Sequence, residues 1–295
     1  MAIKLHFEQE KYAYKKYLGN IYFTGPNLNY FQKKVNFLLI CLKKIKTKLI
    51  SYKNETIKVF YKPKKLEKEY LNIEFKTALP NERVIELSDI LYNQKFIFIE
   101  NFLSEKTHQA LIDNWPQSFF FNPMGKIIKE YNWGFRAKRN LNNFNFDSKD
   151  FIYNPVMQKF YNFLSCDGFS NVINNLFKKE GEEYLLYSIL STTARKNSFL
   201  IPHVDNVQKT ERNKTYNCIY FVDGDDKDLE NAGATSIYKD NNFKDLIFQP
   251  TSLKNSILIY NSTHNFFHGF KEIKNDITER KTVNFQFHPR SQIKN

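Results

Sequence analysis

Glycine and proline are scarce in this chain, nine of each in 295 residues, which excludes fibrous and low-complexity character. Cysteine is scarcer still. Cys41, Cys166 and Cys218 are odd in number, widely spaced and form no Cys-x-x-Cys pair, so a disulfide framework is excluded and a reduced, cytoplasmic compartment is expected. No run approaches the ~20 apolar residues that span a bilayer. The first residues lack the charged region, apolar core and small-residue cleavage site of a secretory leader. No internal repeat is visible. What is abundant is apolar and aromatic: 42% hydrophobic and 17% aromatic residues indicate a globular protein with one large core, or a core with a small appendage.

Acidic residues are absent between Lys11 and Asn54. Residues 1–70 hold 16 Lys against five Glu and so carry +11 of the chain's +13, leaving the remaining 225 residues nearly neutral. Within this basic region Phe31, Val35, Leu38, Leu42, Ile45 and Leu49 recur at spacings of four and three, surrounded by Lys33, Lys34, Lys43, Lys44, Lys46 and Lys48. That pattern predicts an amphipathic helix over about 28–52, entered after Gly25-Pro26-Asn27. The chain then divides into a basic extension, 1–92, and a main domain, 93–295, with Tyr61–Tyr70 as a polar connector. The simplest expectation is that the apolar stripe packs on the main domain and the lysines are solvated. A basic helix lying on an anionic membrane, making the protein peripheral to it, is the next reading. A homodimer seam or partner helix is another, because the spacing is heptad-like. Nucleic acid ranks last, since the segment is poor in Arg and no reader motif accompanies it.

The chemistry concentrates in Ile201-Pro202-His203-Val204-Asp205, answered 63 residues later by His268 in Phe267-His268-Gly269, and then by Arg280. In an extended segment residues two apart point the same way, so His203 and Asp205 can offer two ligands to one metal. A third must come from elsewhere. Two imidazoles and a carboxylate on one face of an octahedral ion leave open positions, a set that suits non-heme Fe(II). Val283, Phe285 and Phe287 alternate with Thr282, Asn284 and Gln286, which reads as a strand with one apolar face. Arg280 shares the polar parity. Its planar fork suits a carboxylate-bearing co-substrate better than Lys would.

These residues resemble the Fe(II)- and 2-oxoglutarate-dependent dioxygenases, in the prolyl-hydroxylase-like and small-molecule hydroxylase branch. The resemblance spans roughly residues 94–290. Gln94–Leu103 looks like the family's opening strand and Ser104–Trp115 like its first helix. Tyr184–Ser191, Tyr216–Val222 and Ser256–Tyr260 look like core strands. Asn231–Tyr238 resembles the turn before another strand, with Ala232 replacing the usual first Gly. Arg280-x-Thr282 resembles the Arg-x-Ser motif that holds the far carboxylate of 2-oxoglutarate.

The resemblance implies an α+β, mainly β fold: a double-stranded β-helix (jelly-roll, cupin-like) with buttressing helices. It makes His203, Asp205 and His268 the metal ligands and catalytic centre, Arg280 the 2-oxoglutarate anchor and Thr282 its assistant. His264 is the rival third ligand, but the 12-residue interval from His268 to Arg280 fits the family better than the 16 from His264. His6, His108 and His288 have no such context. The implied cofactors are Fe(II), 2-oxoglutarate and O2, with ascorbate as reductant; the implied products of the co-substrate are succinate and carbon dioxide. Asp205 argues against halogenation, because related halogenases replace that carboxylate with Gly or Ala. Gln286 stands where nucleic-acid demethylases of the superfamily carry a second Arg.

A small metabolite such as an amino acid, sugar or lipid-linked precursor is the expected substrate, a protein side chain the alternative. From another class, the barrel could be a non-catalytic metal- or ligand-binding module. The segment Trp133–Arg139 reads as a charged loop; if it touches substrate, Arg136 or Arg139 would hold an acidic group. Helices are expected over Asn154–Cys166 and from Ser170 to Phe177.

Overall fold

A computed structural model describes residues 30–61, 70, 72–123, 131–140, 143–146, 149–205, 215–262, 266–274 and 279–293. Its helices are α1 (Tyr30–Phe60), α2 (Asn81–Gln94), α3 (Glu105–Asp113), α4 (Pro155–Ser165) and α5 (Asp167–Leu176). The strands are β1 (Phe96–Ile99), β2 (Asn122–Pro123), β3 (Tyr131–Asn140), β4 (Asn143–Phe146), β5 (Tyr184–Ala194), β6 (Leu200–His203), β7 (Tyr216–Asp223), β8 (Ser236–Tyr238), β9 (Leu246–Phe248), β10 (Ser256–Asn261), β11 (Phe267–Phe270) and β12 (Arg280–Pro289). Among the described residues they form two antiparallel sheets. The larger runs β1-β10-β7-β12-β5-β3-β2, with β4 on β3; the smaller runs β6-β11-β8-β9.

Side chains alternate across a strand, and here the alternation sorts two apolar clusters. Cys218, Tyr220 and Val222 of β7, Ile257 and Ile259 of β10, and Val283, Phe285 and Phe287 of β12 join a core with the helices. Ile219 and Phe221 of β7 and Leu258 and Tyr260 of β10 point the other way, onto Ala232, Ala234 and Ile237 beside the small sheet. Both faces of the central strands are therefore covered, and β7 and β10 are buried almost throughout. On β12 the residues of opposite parity to Val283 are the polar ones, as the sequence predicts.

Helix boundaries follow local chemistry. Asn154 accepts from the Met157 amide and Pro155 opens α4, a combination that supplies a missing acceptor and tolerates a missing donor. Ser170 is not a cap: α5 starts at Asp167, and Cys166 occupies the N-cap with its sulfur facing the Phe169 amide at 3.5 Å. Trp133–Arg139 is not a loop either but lies within β3, paired with β5. Residues 72–92, assigned from sequence to the extension, contribute Ile73, Phe75, Val84, Leu87 and Leu91 to the core beneath the large sheet.

The basic helix differs from expectation in length and in orientation. α1 runs eight residues beyond Tyr52, to Phe60. Its C-terminal end docks on the main domain: Asn54 donates to the Phe121 carbonyl (3.0 Å), and Lys58 bridges Glu55 and Asp150, each at 2.8 Å. The described stripe residues Leu38, Leu42, Ile45 and Leu49 are instead exposed, which overturns the expectation that they pack on the barrel. Residues 28–29 and the connector 62–69 lie outside the described residues. No helix among those described is long and apolar enough to cross a membrane.

Candidate active site

β6 and β11 pair so that His268 stands directly across from His203. This register supplies the third group that His203-x-Asp205 needs. β6 ends at His203, and Asp205 follows just beyond it. The candidate ligand atoms of His203, Asp205 and His268 all lie within 4.8 Å of one another. The Nε2 atoms of His203 and His268 are 3.4 and 3.7 Å from Asp205 Oδ1, and the imidazole centroids are 4.3 Å apart. Close approach of the two strands depends on Gly269. A Cβ there would meet the backbone of the opposite strand, including Pro202 N at 2.7 Å.

His203 Nδ1 lies 2.9 Å from the Ile201 carbonyl. A carbonyl can only accept, so Nδ1 carries the proton and Nε2 presents its lone pair toward the cluster. His268 is buried, and desolvation lowers its pKa to about 4 despite the opposing Asp205 charge, keeping it a neutral donor. Burial opposes ionisation of Asp205, yet His268, His203 and the Asn217 amide together hold its carboxyl below the usual range. His203 is shifted upward: burial works against its charge, but its contact with Asp205 outweighs it.

Asn217, on the inward face of β7, donates through Nδ2 to Asp205 Oδ2 at 2.5 Å and lies 2.8 Å from Ser262 Oγ and 3.2 Å from Tyr260 Oη. This hydrogen bond fixes the orientation of the Asp205 carboxylate. Sequence reasoning missed it. The one available signal was its parity with Ile219 and Phe221, a lone amide on an otherwise apolar inward face.

Arg280 is 2% exposed. Its guanidinium lies 4.6 Å from the Phe270 ring centroid and 5.5 Å from that of Phe221, and Nη2 donates to Thr235 Oγ1 at 2.5 Å. The hydroxyl serving Arg280 is therefore that of Thr235, which sequence reasoning also missed. Thr282 instead bonds Thr192, hydroxyl to hydroxyl, at 2.6 Å.

His203, Asp205, His268, Asn217, Thr235 and Arg280 all line one cavity of about 520 Å³. Polar groups from the large sheet complete it: Ser188, Asn284, Gln286 and Arg136. Arg136 reaches this wall because β3 bulges before it. The register shifts between Gly134 and Arg136, and Phe135 adopts φ 45°, a conformation rare for a bulky residue. Tyr161 Oη donates to the Phe135 carbonyl at 2.5 Å and Ser191 Oγ to that of Gly134 at 2.8 Å, holding the bulge. Arg139 lies elsewhere, its Nε donating to the Leu186 carbonyl at 2.8 Å.

His264 and His6 lie outside the described residues. His108 is buried against the Val222 carbonyl at 2.8 Å, and His288 packs on Tyr187 with ring centroids 4.2 Å apart.

No protein-family model and no curated protein matches this sequence. Solved structures do match. A prolyl-4-hydroxylase from Pseudomonas putida is 11% identical, with a TM-score of 0.50 over 70% of this chain and 99% of that one. A Trichoplax adhaerens prolyl hydroxylase, solved with a hypoxia inducible factor peptide fragment, is 14% identical, with a TM-score of 0.50 over 73% of this chain and 96% of that one. The chain shares the fold of these hydroxylases. Its two sheets are those of the double-stranded β-helix, and the cavity lies between them. HygX from Streptomyces hygroscopicus, solved with nickel, 2-oxoglutarate and hygromycin B, is 10% identical, with a TM-score of 0.47 over 72% of this chain and 88% of that one.

Proposed function

We propose that the protein is an Fe(II)- and 2-oxoglutarate-dependent oxygenase that hydroxylates a small polar metabolite. The observation that carries this reading is the convergence of His203, Asp205 and His268 on a cavity that also contains the buried cation of Arg280. The donor set fits the metal: two imidazole nitrogens and a carboxylate suit Fe(II) with open positions. The second group fits too. A planar guanidinium flanked by phenyl faces and positioned by Thr235 matches a carboxylate bidentately in a site of low dielectric. When bound, iron and 2-oxoglutarate would supply oxidative decarboxylation to succinate and carbon dioxide, coupled to oxidation of a substrate carbon.

The chain's own contribution is orientation and exclusion of water. Asn217 holds Asp205 and the Ile201 carbonyl sets the His203 tautomer. Leu190, Leu200 and Ile219 give the cavity apolar walls. The volume suits a small molecule. Arg136, Ser188, Asn284 and Gln286 offer a charge and hydrogen bonds on the large-sheet wall, which favours a substrate bearing an acidic or heavily hydroxylated group.

The test is to add Fe(II) and 2-oxoglutarate without oxygen, follow the visible charge-transfer band, and then measure succinate when oxygen and ascorbate are admitted. The native protein should show both signals, and a metabolite screen should reveal substrate-stimulated succinate. His203→Ala, Asp205→Ala and His268→Ala should each abolish the band. A protein that binds iron but neither binds nor turns over 2-oxoglutarate would instead be a non-catalytic metal-binding module.

A further inference from the structure

We propose that α1 docks the protein on a membrane surface bearing anionic phospholipid. The helix is amphipathic, but it is mounted with its apolar face away from the protein. At 3.6 residues per turn, Leu38, Leu42, Ile45, Leu49 and Tyr52 fall within about 80° of one another, whereas Asn54 and Lys58 lie on roughly the opposite side. Asn54 and Lys58 are the buried docking residues, at 8% and 6% exposure. The five stripe residues are between 52% and 70% exposed. A surface helix ordinarily turns its apolar stripe to the core. Here polar and charged contacts hold the C-terminal end, and the stretch from Leu38 to Tyr52, about 21 Å of helix, presents an apolar strip outward.

Charge identifies the occupant. Between Tyr30 and Phe60 the helix has eight lysines against one acidic residue, Glu55, which Lys58 already engages. Lys46, Lys48 and Lys53 flank the stripe and are exposed, long enough to bury their methylenes while their ammonium groups reach phosphate. A basic, lysine-flanked apolar strip lies in the plane of an anionic interface, its apolar side chains entering the acyl boundary. A second copy is a poorer occupant. Stripe-to-stripe pairing would set like charges against each other along both flanks, with no acidic residues at the e and g positions that normally select coiled-coil partners.

The experiment uses the full chain, in flotation with vesicles of phosphatidylcholine alone or with one quarter phosphatidylserine. Binding to the anionic vesicles alone is expected, falling at least tenfold between 0.1 and 0.5 M salt as the charges are screened. Each lysine near such a surface strengthens binding roughly fivefold, so Lys46→Gln with Lys48→Gln should weaken it about 25-fold. Leu42→Asn with Leu49→Asn should abolish it, while the melting temperature stays within a few degrees because neither side chain is buried. Equal binding to both vesicles, no binding, or indifference to the lysine changes would overturn the proposal. So would a lipid-free dimer in sedimentation equilibrium that Leu42→Asn with Leu49→Asn disperses, because the stripe would then belong to a second copy.

Discussion

Replacing Arg280 with Gln separates co-substrate binding from metal binding. The guanidinium sits at 2% exposure between Phe221 and Phe270, where water cannot substitute for it. A fork holding a carboxylate makes two charge-assisted hydrogen bonds, each worth about 1.5–3 kcal/mol. Gln keeps at most one neutral bond, worth about 1 kcal/mol. The net loss is about 3 kcal/mol, or roughly a 100-fold weaker affinity for 2-oxoglutarate. Iron affinity should stay within about twofold, because none of His203, Asp205 and His268 is touched. Arg280→Lys should recover part of the loss: it restores the charge but not the fork. Anaerobic calorimetric titration of 2-oxoglutarate into the iron-loaded protein, with iron binding measured separately, reads both quantities. The reasoning fails if Arg280→Gln binds 2-oxoglutarate as tightly as the native protein, or if iron affinity falls in parallel.

Asn217→Leu keeps the side-chain size but removes the donor to Asp205, so metal affinity should fall 10–100-fold; unchanged affinity would leave Asn217 without a positioning role. Gly269→Ala forces a Cβ against the backbone of β6 and should destabilise the fold by roughly 1–3 kcal/mol while weakening metal binding, measured by thermal unfolding with and without Fe(II). His264→Ala should leave iron bound, and loss of the metal there with retention in His268→Ala would reverse the ligand assignment. His288 has its pKa lowered to about 4 by burial and then by Lys138, so the folded state favours the neutral ring. Its contribution is complete above pH 6.5 and is lost as pH falls toward 4, up to about 3 kcal/mol. His288→Phe should lose less stability over that interval, and parallel unfolding curves for the two proteins would contradict this.

Much of the molecule was written in consecutive residues. The alternation of Val283, Phe285 and Phe287 with Thr282, Asn284 and Gln286 predicts β12, its buried face and the inward parity of Arg280, because a strand's period is local. The core strands around Tyr184, Tyr216 and Ser256 and the stripe on α1 were legible for the same reason. What the sequence could not determine is which distant groups meet. The facing of His268 and His203 is a cross-strand register between segments 65 residues apart. The pairing of Thr235 with Arg280, and of Asn217 with Asp205, likewise depends on how separate strands lie together. Arg136 enters the cavity only because a bulge, held by Tyr161 and Ser191, resets the alternation of β3. Periodicity established that α1 has an apolar face but not its direction. That was decided by Asn54 and Lys58, whose tertiary partners, the Phe121 carbonyl and Asp150, lie 67 and 92 residues away and turn the stripe outward.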